Sequence, residues 1–477
     1  MVFTPEKPQR LMIDHLLTHE IAYCIVGMGI GKTASCLAAW KELKDRGMSK
    51  GVLVLAPLRV ANLTWPMEVA QWDQFKKLRV ANLRTPIGRG AFIAGIADIY
   101  VINYDSIPML VKLVEKRGGS VPYDTIIYDE STKAKNPKSK RIDMLRKQVP
   151  AVPRRWALTG TPAPNSDLDL FPQVRLLDDG ERLGRSFHQF KQSWFHPQNP
   201  MFEHSKWIIN GDDAKARIQQ RISDITITLR SSDWLTDVPD AVIEDVEIPM
   251  PEATMDAYLE FERELVLELK QSNVQITAAN AAALVSKLLQ YTSGALYDAE
   301  RKTHAVHNLK LDALAKLYKA EKTPLLVAVA FRHEQERIRK RFPEAKFFED
   351  AKSAEMQKSL LVQWNRGEIP MLVAHPRSIG HGLNLQKGSH RMCWTTLTYS
   401  REDYEQFIAR LWRRGQTNVV QVHRLMCPGT VDDMVASVLE SKQQNERQLL
   451  DALIMLESMR DKKPVKLKPK PVPTWEF

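Results

Sequence analysis

The chain has 477 residues, 44% hydrophobic and 26% charged, with a net charge of +11. This length exceeds one ordinary core and implies two or three domains; the composition is that of a folded globular protein. No apolar run reaches the roughly 20 residues a membrane-spanning helix needs, and the surplus of Lys and Arg suits a polyanion such as DNA or RNA rather than an acidic or lipid-embedded role.

The N-terminus, MVFTPEKPQR, lacks the apolar centre of a secretion signal, so a cytoplasmic location and no membrane partner are expected. IAYCIV (21–26) predicts a buried strand, followed by a glycine-rich loop and a helix from Lys32 to about Arg46. VLVLAP (52–57), IYVIN (99–103), TIIYDE (125–130) and RRWALTG (154–160) are further short apolar runs that end in polar residues. Strands separated by helices imply β-α-β units and a parallel sheet. A helix-prone stretch follows at about 165–230, and a clearly helical one at about 251–300. The α/β rhythm then returns in PLLVAVAF (324–331), AKFF (345–348), MLVAH (371–375), RMCWTT (391–396) and VVQVHRLM (419–426). A long helix is expected over about 430–457. The tail DKKPVKLKPKPVP is basic and proline-rich and reads as disordered; a nonspecific phosphate contact and a solubilising role are equally open for it.

The fold class expected is therefore α/β, with two similar lobes and a cleft between them. Their bounds are 1–238, with a helical protrusion at about 165–230, and 239–455, with a helical insertion at about 251–300, leaving 456–477 as the tail. Cys24, Cys36, Cys393 and Cys427 form no C-x-x-C pair, which points to reduced thiols and away from structural zinc.

Residues 26–33, VGMGIGKT, lie between a predicted strand and a predicted helix, the context a phosphate loop requires. Gly29 and Gly31 allow the backbone N–H groups to face phosphate oxygens, and the helix N-terminus adds partial positive charge. Lys32 would reach the β- and γ-phosphates of ATP, and Thr33 would place its hydroxyl on Mg²⁺. Met28, Ile30 and Ala34 complete the loop. The strict pattern has glycine at 26, where this chain has Val26. TIIYDE supplies a carboxylate pair at a strand's C-terminal end, where open α/β sheets bind ligands. Asp129 would stand on the Mg²⁺ side, and Glu130 would orient or deprotonate the attacking water.

DESTKAKN (129–136) resembles the acidic box of superfamily 2 DEAD/DEAH-like helicases, above all the Swi/Snf-type ATPases. VGMGIGKT resembles their first motif, LTGTPAPN (158–165) the third, SIGHGLNLQ (378–386) the fifth and QFIARLWRRGQ (406–416) the sixth, in the family's order. The resemblance covers roughly residues 5–445 and implies two tandem RecA-like P-loop NTPase lobes with ATP hydrolysed in the cleft. It implies an adenine-reading role for Gln9, and coupling roles for Thr159, Thr161 and Gln406. It puts Gly382 and Asn384 near the nucleotide, and Arg410 and Arg413 on it as catalytic arginines. Ser131-Thr132 stands where the family has Ala-His, so the coupling route changes, with the Thr132 hydroxyl available for one hydrogen bond. Independently, Arg410 and Arg413 lie three apart on a predicted helix and so share a face. A permanently charged guanidinium suits the charge that builds on a γ-phosphate.

Segments at strand ends supply candidate DNA contacts: Arg59 in APLRVANLTW, Asn103 and Tyr104 in VINYDS, Arg332 with His333, and Arg377 with Ser378. The loop KAKNPKSKR adds basic charge after the acidic pair. Such contacts grip phosphates without reading sequence. Trp65, Trp156, Trp394 and Trp412 are expected to pack in cores or at the lobe interface rather than stack on bases. The reading is an ATP- and Mg²⁺-dependent motor on double-stranded DNA. Strand separation on single-stranded or branched DNA is the first alternative, and a nucleotide-switched clamp with little turnover is the second. The compact motor suggests a protein of a bacterial cell or a phage-infected host.

Overall fold

The computed structural model describes residues 2–164, 166–198, 207–234, 238–271, 278–379 and 383–440. In the first lobe the strands are β1 (Ile21–Val26), β2 (Val52–Ala56), β3 (Val80–Asn82), β4 (Ile99–Asn103), β5 (Thr125–Asp129) and β6 (Arg154–Thr159). A small antiparallel pair, β7 (Phe195–Pro197) and β8 (Trp207–Ile209), precedes β9 (Thr226–Leu229). Seven of these form one sheet in the order β3-β4-β2-β5-β6-β1-β9, parallel throughout. Every residue of β2, β4 and β5 is buried, because both faces of the sheet are covered. That double burial is why these strands read as unbroken apolar runs. Leu53 and Tyr100 face one apolar layer with Phe171, while Val54 faces the other with Met12, Trp40 and Trp156.

The second lobe holds β10 (Val242–Glu247), the antiparallel pair β11 (Ala295–Tyr297) and β12 (Thr303–Ala305), then β13 (Leu325–Ala328), β14 (Lys346–Phe347), β15 (Met371–Ala374), β16 (Arg391–Trp394) and β17 (Gln421–Met426). Six strands form a parallel sheet in the order β10-β17-β16-β13-β15-β14. Two mostly parallel sheets in tandem, each flanked by helices, are the RecA-like arrangement the motif order implied. Helices Glu252–Gln271 and Ala278–Ser293 occupy the insertion. No described helix is long and apolar enough to cross a membrane. All four cysteines are buried and free. The last described helix is Val431–Glu440; the rest of the expected long helix and the tail lie outside the described residues.

Besides the two small antiparallel pairs, three strands of the large sheets are missing from the sequence reading, and all are edges. β3, three residues long, is too short to show a run, β9 lies in the stretch read as helix-prone, and β10 (VIEDVE), mostly exposed, alternates apolar residues with charges.

The lobes touch. Leu63 of the first packs in the apolar core of the second. The Arg59 guanidinium lies over the Phe348 ring at 5.0 Å, and Arg414 pairs with Glu6 at 2.5 Å.

Candidate active site

The phosphate loop is built by β1, which ends at Val26, and by the helix Lys32–Asp45. Gly29 and Gly31 adopt φ of 82° and 91°, the left-handed region that glycine enters without a Cβ clash. A Cβ on Gly31 would also collide with the Gln9 amide. That amide braces the loop: its nitrogen donates to the Ile30 carbonyl at 3.0 Å, and its oxygen accepts from the Glu6 N–H at 2.9 Å. Val26 is buried at the strand end, and its carbonyl accepts from Lys32 Nζ at 2.8 Å. A residue after β9 adds support that the sequence did not reveal, since the Ser231 hydroxyl donates to the Met28 carbonyl at 2.7 Å. Ile30 and Ala34 bury their side chains in the lobe core and offer backbone only. Met28, Gly29, Gly31, Lys32 and Thr33 line the cavity between the lobes.

The acidic pair faces the same cavity. Asp129 closes β5. Burial pushes its carboxyl up to about 6, against the pull of a 2.8 Å hydrogen bond from Trp65 Nε1 to Oδ2. Trp65 reaches it from directly after a π-helical turn, Val60–Thr64, a widened turn of the kind that concentrates at functional sites. Glu130 has φ 55°, a left-handed conformation that costs a non-glycine residue about 1–2 kcal/mol. The Thr132 hydroxyl donates to Glu130 Oε1 at 3.1 Å, so the hydrogen bond it has available goes to the catalytic candidate. Behind them, Thr159 is fully buried and accepts from the Thr161 N–H at 3.1 Å, while Thr161 reaches the cavity.

The second lobe completes the wall with Asn384, Gln406, Ala409, Arg410 and Arg413. The expected shared helix face is corrected here. The helix Arg401–Ile408 ends before either arginine, and both lie in the turns that follow. They converge instead because both donate to one carbonyl, that of Leu383, at 3.2 Å from Arg410 and 3.0 Å from Arg413. Arg410 Nε also donates to the Gln406 carbonyl at 2.9 Å. Burial, then repulsion from Arg413, pushes Arg410 down to about 9. Burial lowers Lys32 too; Glu130 and Asp129 oppose that shift, and Arg410 and Arg413 add to it. Three cations desolvated around one cavity suit a triphosphate. Gly382 lies outside the described residues.

The remaining sequence candidates divide. Asn103, Tyr104 and His333 are buried, so the structure does not present them to DNA. Asn103 accepts from the Ser106 hydroxyl at 2.6 Å, Tyr104 donates to the Asp129 carbonyl at 3.1 Å, and His333 lies between the Tyr297 and Phe331 rings. Strand-end position alone misled here, because these side chains point back into the fold. Arg59 is half-buried against Phe348 rather than on an open face. Arg332 is exposed. Arg377 is exposed and pairs with Asp403 at 2.9 Å, with Ser378 half-buried beside it. Trp65, Trp156 and Trp394 are buried, as packing residues should be.

Glu68, which lines the cavity, also went unnoticed in the sequence. Among the described residues no group of three or more His, Cys, Asp or Glu side chains could cage a metal. A divalent cation here would rest on Thr33, Asp129 and the nucleotide itself, the donor set of a phosphate-loop site.

Residues 20–294 match the family model of the SNF2-related domain. The chain belongs to the SNF2-related family. Putative protein p41 of Acyrthosiphon pisum secondary endosymbiont phage 1 is 37% identical over 470 residues, covering 94% of this chain and 99% of that one. The putative ATP-dependent helicase/translocase YwqA of Bacillus subtilis (strain 168) is 25% identical over 447 residues, 89% of this chain and 46% of its own. The DNA annealing helicase and endonuclease ZRANB3 of Mus musculus is 23% identical over 432 residues, 88% and 38%. The chain thus spans nearly all of the phage relative and under half of the two named helicases. The SNF2-related chain is an ATP hydrolase, with its phosphate loop, acidic pair and second-lobe arginines around one cavity.

Proposed function

We propose that this SNF2-related chain is a motor that couples ATP hydrolysis to movement along double-stranded DNA. The observation that carries the reading is the division of one cavity between two lobes: Lys32, Asp129 and Glu130 come from the first, Arg410 and Arg413 from the second. Lys32 and the loop N–H groups hold the phosphates. Glu130, steadied by Thr132, accepts the proton of the water that attacks the γ-phosphorus. The arginines meet the charge that develops on the transferred group. Hydrolysis then requires closed lobes, and closure is motion. Thr33 and Asp129 are the residues that would hold Mg²⁺, which neutralises phosphate charge when bound.

A nucleic-acid track is supported by the net charge of +11 and by exposed cations, among them Lys133, Lys138, Lys140 and Arg332, and duplex DNA is the form we propose. The test compares ATPase rates with blunt duplex, single-stranded and branched DNA. Duplex should stimulate most, and its apparent affinity should fall by about 10³-fold between roughly 50 and 200 mM salt if about six phosphates are contacted. Stimulation by single strands alone would replace translocation with strand separation; tight DNA binding without turnover would favour a clamp.

Trp65→Phe should raise the Mg²⁺ concentration needed for half-maximal ATPase by about 10-fold, since it removes an outer hydrogen bond that holds a metal-side carboxylate. A Mg²⁺ titration of the variant checks this, and an unchanged midpoint would remove Trp65 from the site.

A further inference from the structure

Gln173 belongs to no motif of the sequence, yet it connects two of them and the strand that leads into a third. It lies fully buried in the helix Leu170–Asp178. Its oxygen accepts from the Ser131 hydroxyl at 2.7 Å and the Tyr23 hydroxyl at 3.2 Å. Its nitrogen donates to the Pro162 carbonyl at 2.6 Å and the Asp169 carbonyl at 2.8 Å. A primary amide has two acceptor positions and two N–H donors, so all four are used. The Asp169 bond, within the preceding helical turn, anchors the side chain. The other three run to β1, to the residue after Glu130, and to the residue after Thr161. Glu130 and Thr161 line the cavity, on loops that follow the neighbouring strands β5 and β6.

We propose that Gln173 is a positioning residue that ties the Glu130 loop to the Thr161 loop. A saturated buried amide has one low-energy orientation, because any rotation leaves a donor or acceptor unpaired. Displacement of one loop is therefore carried to the other. Ser131 is the contact on the acidic side, which gives the Ser131-Thr132 pair two distinct tasks: Thr132 holds the Glu130 carboxylate, and Ser131 holds its loop. The inference rests on the reading of Glu130 as the base.

The test uses the full chain and the variants Ser131→Ala, Gln173→Leu, their combination, and Glu130→Gln. It measures kcat and KM for ATP together with the Kd of a fluorescent ATP analogue. Ser131→Ala and Gln173→Leu should each lower kcat by about 10-fold, with KM and Kd within about twofold, and the double variant should be no slower than the slower single one, as coupled residues behave. Losses that multiply, or a rise in KM and Kd with kcat unchanged, would overturn the proposal. If Gln173→Leu does not fold, Ser131→Ala decides alone, since it removes one oxygen; a wild-type kcat there ends the idea. Hydrolysis retained in Glu130→Gln would refute the reading of the base, whereas a dead Glu130→Gln beside wild-type rates in the other variants would refute the role of Gln173 only.

Discussion

Lys32→Ala yields a folded chain whose ATP turnover is lower by at least about 10³-fold, the effect of removing one preorganised charge from a phosphoryl-transfer site. The reason is placement. Lys32 Nζ is held by the Val26 carbonyl at the end of β1, faces the acidic pair, and shares its cavity with Arg410 and Arg413. The same crowding sets an expectation for stability. Burial holds the Lys32 ammonium below its usual range. A lysine with a lowered folded pKa favours folding only above its unfolded value of about 10.4, and that contribution is lost as pH falls through the folded value. At neutral pH, Lys32 in the nucleotide-free protein is thus a cost. The variant should melt no lower than the wild type without ATP, and should gain far less melting temperature when ATP is added. Thermal melts with and without ATP, beside a phosphate-release assay, read both halves. Near-normal hydrolysis in the variant would falsify the site.

Arg413→Ala should cut single-turnover hydrolysis by about 10³–10⁵-fold and leave nucleotide affinity within a few-fold, as expected of a group that acts chiefly on transition-state charge. Arg413 is preferred over Arg410 for this test because of their anchoring. Arg410 directs both Nε and Nη1 to carbonyls of its own lobe, while Arg413 directs Nη1 to Leu383. Arg413→Lys should not restore the rate, since an ammonium lacks the planar fork that can hold Leu383 and meet a phosphoryl oxygen together. Equal losses of binding and hydrolysis in Arg413→Ala would make the arginine a binding residue only, and the two-lobe account of turnover would lose its basis.

The contrast between the two substitutions also shows what could be read before the fold was known. The phosphate loop and the Asp129-Glu130 pair are contiguous in sequence, each at a strand end, and their chemistry follows from short-range order. The central strands are legible because burial on both faces leaves mostly apolar residues, with polar ones at the strand ends. Arg410 and Arg413 were found through their place in a motif. Helical spacing does not explain their convergence, since both lie beyond the end of the helix and share the Leu383 carbonyl. Asn103, Tyr104 and His333 went the other way. Position at a strand end is visible in sequence, but the direction a side chain takes is set by its neighbours in space.

By itself, then, the amino-acid sequence determined the two-lobed α/β plan, through its order of strands and helices, and marked the glycine-rich loop and the Asp129-Glu130 pair as candidates, because each of these is a run of adjacent residues. Tertiary structure alone decided what surrounds those residues. Trp65 lies 64 positions from Asp129, and Gln173 lies 42 from Ser131 and 150 from Tyr23. Such partners share no spacing rule, for they meet only where separate strands and helices pack. It is packing, too, that brings two arginines of the second lobe, from the turns after the helix Arg401–Ile408, to the cavity of Lys32.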